Sequence, residues 1–346
     1  MKSSLRPLLL LTLLSLSGCS TLDYYSHLAT GQLQLLKARQ PIEQLLGDPQ
    51  TAPELQQRLD LALQARAFAS AELGLPDNRS YRLYADIRRP FVVWNLFATE
   101  EFSLQPRLHC FPIAGCVAYR GYYDQGRARG AAALLAAQGL DTHIGGVEAY
   151  STLGWFADPI LNTMLRWSDE RLVAVIFHEL AHQQLYVADD TAFNESFSSF
   201  VEREGLRQWR AARNLTALDP EGEQQREQFI ALVLASRERL QQLYASDLPE
   251  TAMRQAKQAE FARLRRDYAA LREQQWNGMG RYDGWMAAPL NNARLLPFGL
   301  YDQWIPAFAQ LFEQVQRDWP RFYQAVAELG RLDAQERQQR LQALQP

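Results

Sequence analysis

The stretch that decides the fold is Phe177-His178-Glu179-Leu180-Ala181-His182-Gln183. It continues an apolar run over residues 172–177, and Ser168-Asp169-Glu170 ahead of that run is typical of a helix N-terminus. The sequence therefore predicts a helix through the whole stretch. Residues four apart lie one above the other on a helix face, so the imidazoles of His178 and His182 can reach one metal ion.

The spacing H-E-x-x-H is typical of zinc peptidases. We therefore predict that His178 and His182 bind Zn²⁺ and that Glu179 acts on a water molecule as a general base and acid. A helix that is apolar nearly all round is buried, and burying these polar groups is costly unless a partner such as a dication compensates. The alternative is a surface helix that carries the three residues by chance.

A zinc site with two histidines needs a third protein ligand and an open position for water. After a turn at residues 186–193, the segment Asn194-Glu195-Ser196 leads on to Glu202. Glu195 and Glu202 are the nearest candidates. They are seven residues apart, so both can face the same side of a helix, and only one need bind.

The N-terminus has the pattern of an export signal. Lys2 and Arg6 precede an apolar stretch that is too short to span a bilayer permanently, and Leu16-Ser17-Gly18-Cys19 follows it. This tetrapeptide resembles the lipobox of bacterial lipoproteins, in which the cysteine is lipidated. We predict a signal peptide over 1–18 and a lipid anchor on Cys19 that holds the protein to the cell envelope, facing the periplasm. Ser20 favours the outer membrane by the same resemblance; an ordinary cleaved signal with a stray cysteine is the alternative.

Cysteine usage and charge agree with an exported soluble body. Besides Cys19, the chain has only Cys110 and Cys116, and an oxidising compartment predicts a disulfide between them. The alternative is that Cys110, Cys116 and His109 bind a metal ion, but these three ligands do not complete a tetrahedral set. The net charge of −3 gives no reason to expect nucleic acid as a partner.

Hydrophobic periodicity predicts a mainly α protein of the α+β class, with a helical body and a small mixed or antiparallel sheet beside the H-E-x-x-H helix. We expect one domain over 19–346. Its parts are N-terminal helices over 22–80, a sheet and metal-site core over 82–205, a helical hairpin over 222–276 and C-terminal helices over 277–346. Within the core, strands are predicted at 91–98, 117–122 and 143–150, and a helix at 126–140.

Two of these parts have open roles. The charged hairpin is either solvated and structural or a contact surface for an envelope protein partner. The strand at 143–150 falls just before the metal helix, where gluzincin peptidases place the edge strand that pairs with an extended peptide substrate. A strand merely buried beside the helix is the alternative.

Two resemblances extend this interpretation. HELAHQ (178–183) with NESFSSFVE (194–202) resembles the gluzincin pattern of alanyl-aminopeptidase-type enzymes, which implies that Glu195 is the third zinc ligand and Glu202 a supporting acid. Glu195 lies 13 positions after His182, closer than in those enzymes, whereas the 20 positions to Glu202 resemble the thermolysin-type separation. We assign Glu195, with Glu202 as the alternative, because connector length can change without moving the helix.

Nearly the whole mature chain also resembles a family of bacterial lipoproteins described as predicted aminopeptidases. The resemblance runs through EFSLQP (101–106), CFPIAGCVAYRGYY (110–123), AYSTLGWFADP (149–159), the two metal-site segments and NNARLL (291–296). It implies zinc dependence and hydrolysis of a peptide substrate. Two other functions remain open: a zinc endopeptidase acting on envelope proteins or peptides, and a non-catalytic periplasmic scaffold with a structural metal site.

Such peptidases need a donor to the oxyanion that forms on the substrate carbonyl. No histidine occurs after His182, so a tyrosine or Arg294 must serve if any side chain does. We predict Tyr301, with Tyr282 and Tyr150 as alternatives.

Overall fold

The computed structural model describes residues 5–111, 115–149, 151–216, 219–301 and 303–345, without the side chains of 5–20 and 299–301. The described chain is mainly helical with small sheets, which confirms the predicted α+β class. The helices are α1 (Leu5–Lys37), α2 (Ile42–Gly47), α3 (Pro53–Ala71), α4 (Gln125–Ala136), α5 (Asp169–Gln184), α6 (Thr191–Ala212), α7 (Pro220–Tyr244), α8 (Glu250–Gln275), α9 (Asp283–Ala287), α10 (Asn292–Tyr301), α11 (Ile305–Gln314), α12 (Trp319–Arg331) and α13 (Ala334–Leu344). The strands are β1 (Arg39–Pro41), β2 (Leu83–Ala85), β3 (Val93–Thr99), β4 (His109–Phe111), β5 (Gly115–Val117), β6 (Arg120–Tyr122), β7 (Asp141–Val147) and β8 (Ile160–Leu161).

The three strands predicted before the metal helix build one antiparallel sheet with the order β6-β3-β7. Its middle strand β3 pairs with β7 along its full length, from Val93 opposite Val147 to Thr99 opposite Asp141. The segment predicted as one strand at 117–122 is instead divided into β5 and β6. The chain changes partners there, because β5 pairs with β4 while β6 pairs with β3.

The predicted disulfide is present. Cys110 on β4 lies opposite Cys116 on β5, and their sulfur atoms are bonded. Asp189 holds this hairpin against the connection between α5 and α6, because its Oδ1 accepts a hydrogen bond from the Cys116 backbone N–H at 2.5 Å. The cross-link therefore lies in a hairpin that is attached next to the end of the metal helix.

Helices α5 and α6 lie in the centre of the main hydrophobic core. Phe177 and Leu180 from α5 and Phe197 and Val201 from α6 are fully buried in one cluster. Gly205 lets the two helices approach closely, because a methyl group there would come within 2.9 Å of the Phe177 ring. This close packing brings the polar faces of α5 and α6 together.

Helices α7 and α8 form the predicted hairpin. Hydrogen bonds join Gln228 to Gln275 and Ser236 to Glu260, so the two helices run antiparallel. The hairpin is attached to the sheet through the buried Lys257, whose Nζ donates to the backbone oxygen of Glu101 and to Asp141, both at 2.7 Å. It is therefore docked on the body, and the partner contact stays a prediction.

Helix α1 begins at Leu5 and so includes part of the predicted signal peptide. From Tyr24 onward it packs on the body, where the Tyr24 hydroxyl donates to the Gly121 backbone oxygen at 3.0 Å and Leu35 is buried in the main core. Cleavage before Cys19, whose side chain lies outside the described residues, stays a prediction. Within the described part of the chain, no helix is long and apolar enough to cross a membrane.

Candidate metal centre

Helix α5 brings the two histidines of the motif together. Ser168 caps the helix by accepting a hydrogen bond from the Arg171 backbone N–H. The negative charges of Asp169 and Glu170 in the first turn interact favourably with the positive end of the helix dipole. The apolar residues of α5 are buried in the main hydrophobic core, and this packing fixes the orientation of its polar face. On that face the Nε2 atoms of His178 and His182 lie 3.1 Å apart.

Helix α6 adds Glu195 to this pair. Its Oε2 lies 3.4 Å from Nε2 of His178 and 3.5 Å from Nε2 of His182. Donors held about 2.0–2.1 Å from a metal at tetrahedral angles are about 3.3–3.4 Å apart. The three donor atoms therefore have the spacing of three corners of a small tetrahedral site, and they are a group of side chains that could hold a metal ion.

Glu202 lies on the other side of the His178 ring. Its Oε2 is 2.9 Å from Nδ1 of His178, the nitrogen that points away from Glu195. The other histidine has a matching partner, because the Ser198 hydroxyl lies 3.0 Å from Nδ1 of His182. Such partners of the remote nitrogen set the tautomer and orientation of a metal-binding histidine. The structure thus places Glu195 among the converging donors and Glu202 behind them.

The charges at this cluster are suited to a cation. Burial lowers the pKa of His178, but hydrogen bonds to Glu195 and Glu202 outweigh it and raise that pKa well above its usual value. Burial raises the pKa of Glu195, whereas the two imidazoles outweigh this effect and bring it to about 2. The pKa of Glu202 also ends below its usual range, because the hydrogen bond to His178 outweighs burial. The carboxylates of Glu195 and Glu202 are therefore ionised and paired with the imidazoles, so the cluster favours a positive charge at its centre. Its donor set of two nitrogen atoms and one oxygen atom fits a metal such as Zn²⁺.

Glu179 is buried beside the donors but is not one of the three that converge. Burial raises the pKa of Glu179, and so do the neighbouring carboxylates of Glu195 and Asp158. The two histidines lower it, but the net effect is a raised pKa. A carboxylate with a raised pKa is better matched to accepting and returning a proton near neutral pH.

A loop over residues 151–158 lies along the Glu179 side of α5. Glu179 and Gln183 are four residues apart and share one helix face. Gln183 donates through Nε2 to Asp158 at 3.3 Å, and Asp158 also accepts from the backbone N–H and the hydroxyl of Thr152, at 3.0 and 2.7 Å. The loop is thus attached to the metal helix one residue beyond His182.

This loop presents two aromatic side chains to solvent. Trp155 is 69% exposed and Phe156 is 46% exposed. They follow a tight turn in which Leu153 and Gly154 both have positive φ angles of 55° and 80°, and the Thr152 carbonyl accepts from the Trp155 N–H. Positive φ is costly for leucine, and such strain occurs preferentially at functional sites. From the sequence, this loop contributed only to the family resemblance, and no role was predicted for its aromatics, although their position shortly before the helix was a usable signal.

Two tyrosines that sequence reasoning missed lie near the cluster. Tyr119 occupies the corner between β5 and β6, and its ring packs 5.5 Å from that of Phe97. Burial, and then the charges of Glu195 and Glu179, raise the pKa of Tyr119 above its usual range. Burial and Glu195 likewise raise the pKa of Tyr186. Both phenols are therefore within electrostatic range of the Glu195 carboxylate.

The residues predicted as oxyanion donors from the sequence either contact other parts of the protein or lie outside the described residues. Tyr282 stacks on Phe229 of the hairpin, with ring centroids 3.8 Å apart. Arg294 donates to the Trp285 backbone oxygen at 3.1 Å. The side chain of Tyr301 and the whole of Tyr150 lie outside the described residues.

Taken together, the fold and the cluster define a mainly helical α+β protein with a candidate His₂Glu metal centre on two packed helices. The chain belongs to the family described as "Putative aminopeptidase", whose model matches residues 23–341. No curated protein and no solved structure matches the chain.

Proposed function

We propose that the protein is a zinc-dependent aminopeptidase that cuts peptide bonds with a water molecule. The observation that carries this proposal is the triangle of His178, His182 and Glu195 donor atoms, 3.1–3.5 Å apart, with buried Glu179 beside it. The family description supports peptidase activity, and the donor set supports zinc.

In the proposed site, His178, His182 and Glu195 hold the metal, while Glu202 and Ser198 orient the two imidazoles. Bound Zn²⁺ supplies a Lewis acid that lowers the pKa of a water molecule and polarises the scissile carbonyl. Glu179 accepts the proton of the attacking water and then donates it to the leaving amine nitrogen. Tyr119 or Tyr186 is the proposed hydrogen-bond donor to the oxyanion, in place of Tyr301, because both phenols lie near the carboxylates of the site.

Two further features support binding of an extended peptide. Among the described strands, β7 is at the edge of its sheet, and Asn291 donates to its Thr142 carbonyl at 2.9 Å. An extended substrate could add along such an edge. We also propose that Cys19 carries the lipid anchor, so that the enzyme works at the periplasmic face of the envelope, at the outer membrane.

The function is tested with the zinc-loaded full chain and two matched sets of substrates. Aminoacyl reporter amides with a free amine are compared with the same reporters carrying an N-terminal blocking group. We expect cleavage of the free-amine set and at least a hundredfold lower kcat/KM for the blocked set. Preferred cleavage of blocked internal bonds would make the protein an endopeptidase, and tight zinc binding with no hydrolysis of either set would make the site structural.

Replacing Glu202 tests its proposed role as the partner of His178. Glu202→Gln keeps a hydrogen-bond acceptor but removes the charge behind Nδ1, so we expect zinc affinity to fall about 10–100-fold, as is typical of outer partners. The measurement is zinc titration of chelator-treated protein, with Glu72→Gln, an exposed site on another element, as the control. A complete loss of zinc would instead make Glu202 a direct ligand.

The aromatic loop should determine which substrate side chains are accepted. We expect the Trp155→Ala and Phe156→Ala double variant to lower kcat/KM about tenfold for leucyl and phenylalanyl reporters and less than twofold for alanyl reporters. The reason is that burying a large apolar side chain against an aromatic ring contributes roughly 1.5–3 kcal/mol. Leu248→Ala, at an exposed apolar residue of another loop, is the control. An equal loss for all reporters would contradict the assignment.

A further inference from the structure

A second cavity lies away from the metal cluster. It has a volume of about 490 Å³ and is lined by residues 21–25 of α1, strand β4, helix α4 and the sheet strands β3 and β6. Neighbouring residues of a strand point to opposite faces of a sheet. Leu96 of β3 lines this cavity, whereas Phe97 packs with Tyr119 on the other face, toward the metal cluster. The cavity and the metal cluster therefore lie on opposite sides of the β6-β3-β7 sheet.

The cavity wall is largely apolar and partly open to solvent. Leu134 and Leu135 of α4 lie on one side, and Leu108 with Phe111 on another. At the mouth, Leu134 is 69% exposed and Leu108 is 57% exposed. Clustered exposed apolar side chains of this kind mark a binding surface, since leaving them in water is unfavourable.

The charged groups of the cavity wall are positive. Arg107 and Arg120 line the cavity together with His109, and among the described residues no acidic side chain lines it. Burial and the two arginines lower the pKa of His109 to about 4, so its imidazole is neutral and can donate one hydrogen bond. The Arg120 guanidinium lies 3.7 Å from the centre of the Tyr24 ring. Among the described residues, no carboxylate forms a salt bridge with Arg107 or Arg120. The Nε2 atom of His109 is buried and has no hydrogen-bond partner in the same part of the chain.

The mouth of the cavity is near the predicted lipid anchor. Thr21, which lines it, is two residues after Cys19, so their Cα atoms are at most about 7.6 Å apart. A lipidated Cys19 would hold this opening at the surface of the membrane.

We propose that this cavity binds an anionic phospholipid of that membrane. The phosphate group contacts Arg107, Arg120 and His109, and an acyl chain lies along Leu108, Leu134 and Leu135. A cavity of this size, apolar with a few converging polar groups, is within the range of small-ligand sites. The assignment rests on the proposed lipid anchor at Cys19 and does not depend on the metal centre.

The test uses the full chain and a short-chain phosphatidylglycerol kept below its micelle concentration, with binding measured by calorimetry. We expect saturable binding, about fivefold weaker binding of the matching phosphatidylcholine, and at least tenfold weaker phosphatidylglycerol binding by an Arg107→Gln and Arg120→Gln double variant. Leu134→Glu, at a side chain that is largely exposed in the folded chain, should also weaken binding at least tenfold. Inorganic phosphate alone should bind at least tenfold more weakly than the lipid.

The matched control variants make the same two types of substitution, arginine to glutamine and leucine to glutamate, at positions outside the cavity. Arg263→Gln on α8 and Leu248→Glu should change the affinity less than twofold. Equal weakening by these controls, or the absence of saturable binding by the unmodified chain, overturns the proposal. Unchanged lipid binding by Leu134→Glu, or phosphate binding as tight as lipid binding, also overturns it, since the site would then recognise a free phosphate.

Discussion

Glu179→Gln is expected to remove the proposed peptidase activity and to leave the zinc content unchanged. We expect kcat to fall about 10²–10⁴-fold, which is the usual contribution of a positioned general acid and base. Glutamine has nearly the same shape but cannot accept the proton of the attacking water. Since Glu179 is not one of the converging donors, zinc stoichiometry should stay at the level of the unmodified chain.

This prediction is checked with two measurements on the same preparation, kcat for an aminoacyl reporter amide and metal content by elemental analysis. Glu72→Gln removes an exposed carboxylate on another part of the chain and should change neither. If Glu179→Gln hydrolyses the reporter at the original rate, Glu179 is not the proton carrier.

Glu195→Gln and His182→Ala are each expected to remove the proposed metal and with it the activity. Both residues contribute a donor atom to the triangle, so we expect zinc affinity to fall more than 100-fold, beyond the range expected for Glu202→Gln. The measurement is zinc titration with a competing chelator, accompanied by thermal unfolding of the metal-free proteins to establish that the variants are folded.

The comparison between Glu195→Gln and Glu202→Gln also decides the ligand assignment. Both substitutions convert a glutamate on the same face of α6 to the same amide; Glu195 is buried and Glu202 is half-buried. If Glu202→Gln lost zinc and Glu195→Gln retained it, the roles of the two acids would be reversed. Normal metal content in His182→Ala would remove His182 from the ligand set.

Much of the fold was predictable because its signals are local. Apolar periodicity and the Ser168 cap predicted α5, and the β-branched and aromatic run predicted β3. The disulfide between Cys110 and Cys116 followed from the number of cysteines and an oxidising compartment. The division of the segment at 117–122 into β5 and β6 was not predictable, because it depends on which strand each part pairs with.

The aromatic loop and the nearby tyrosines show the same limit. Trp155 and Phe156 take their place beside α5 through hydrogen bonds between Asp158 and Gln183, which are 25 positions apart. Tyr119 is positioned by contacts that are distant in sequence: its ring packs on Phe97, and the hairpin before it is attached to Asp189. Contacts between residues far apart in the chain leave no periodic pattern in it.

What the sequence determined by itself is the pair of histidines, because four residues of helix place two side chains on one face in any context. It also limited the third donor to Glu195 or Glu202, which share a face of α6, and the resemblance favoured Glu195. Which of the two carboxylates lies nearest to both Nε2 atoms is decided by the tertiary structure. The packing of α6 on α5 through Gly205 directs Glu195 at the two Nε2 atoms and leaves Glu202 at the far side of the His178 ring. That choice depends on the rotation and spacing of two helices, a property that neither helix encodes alone.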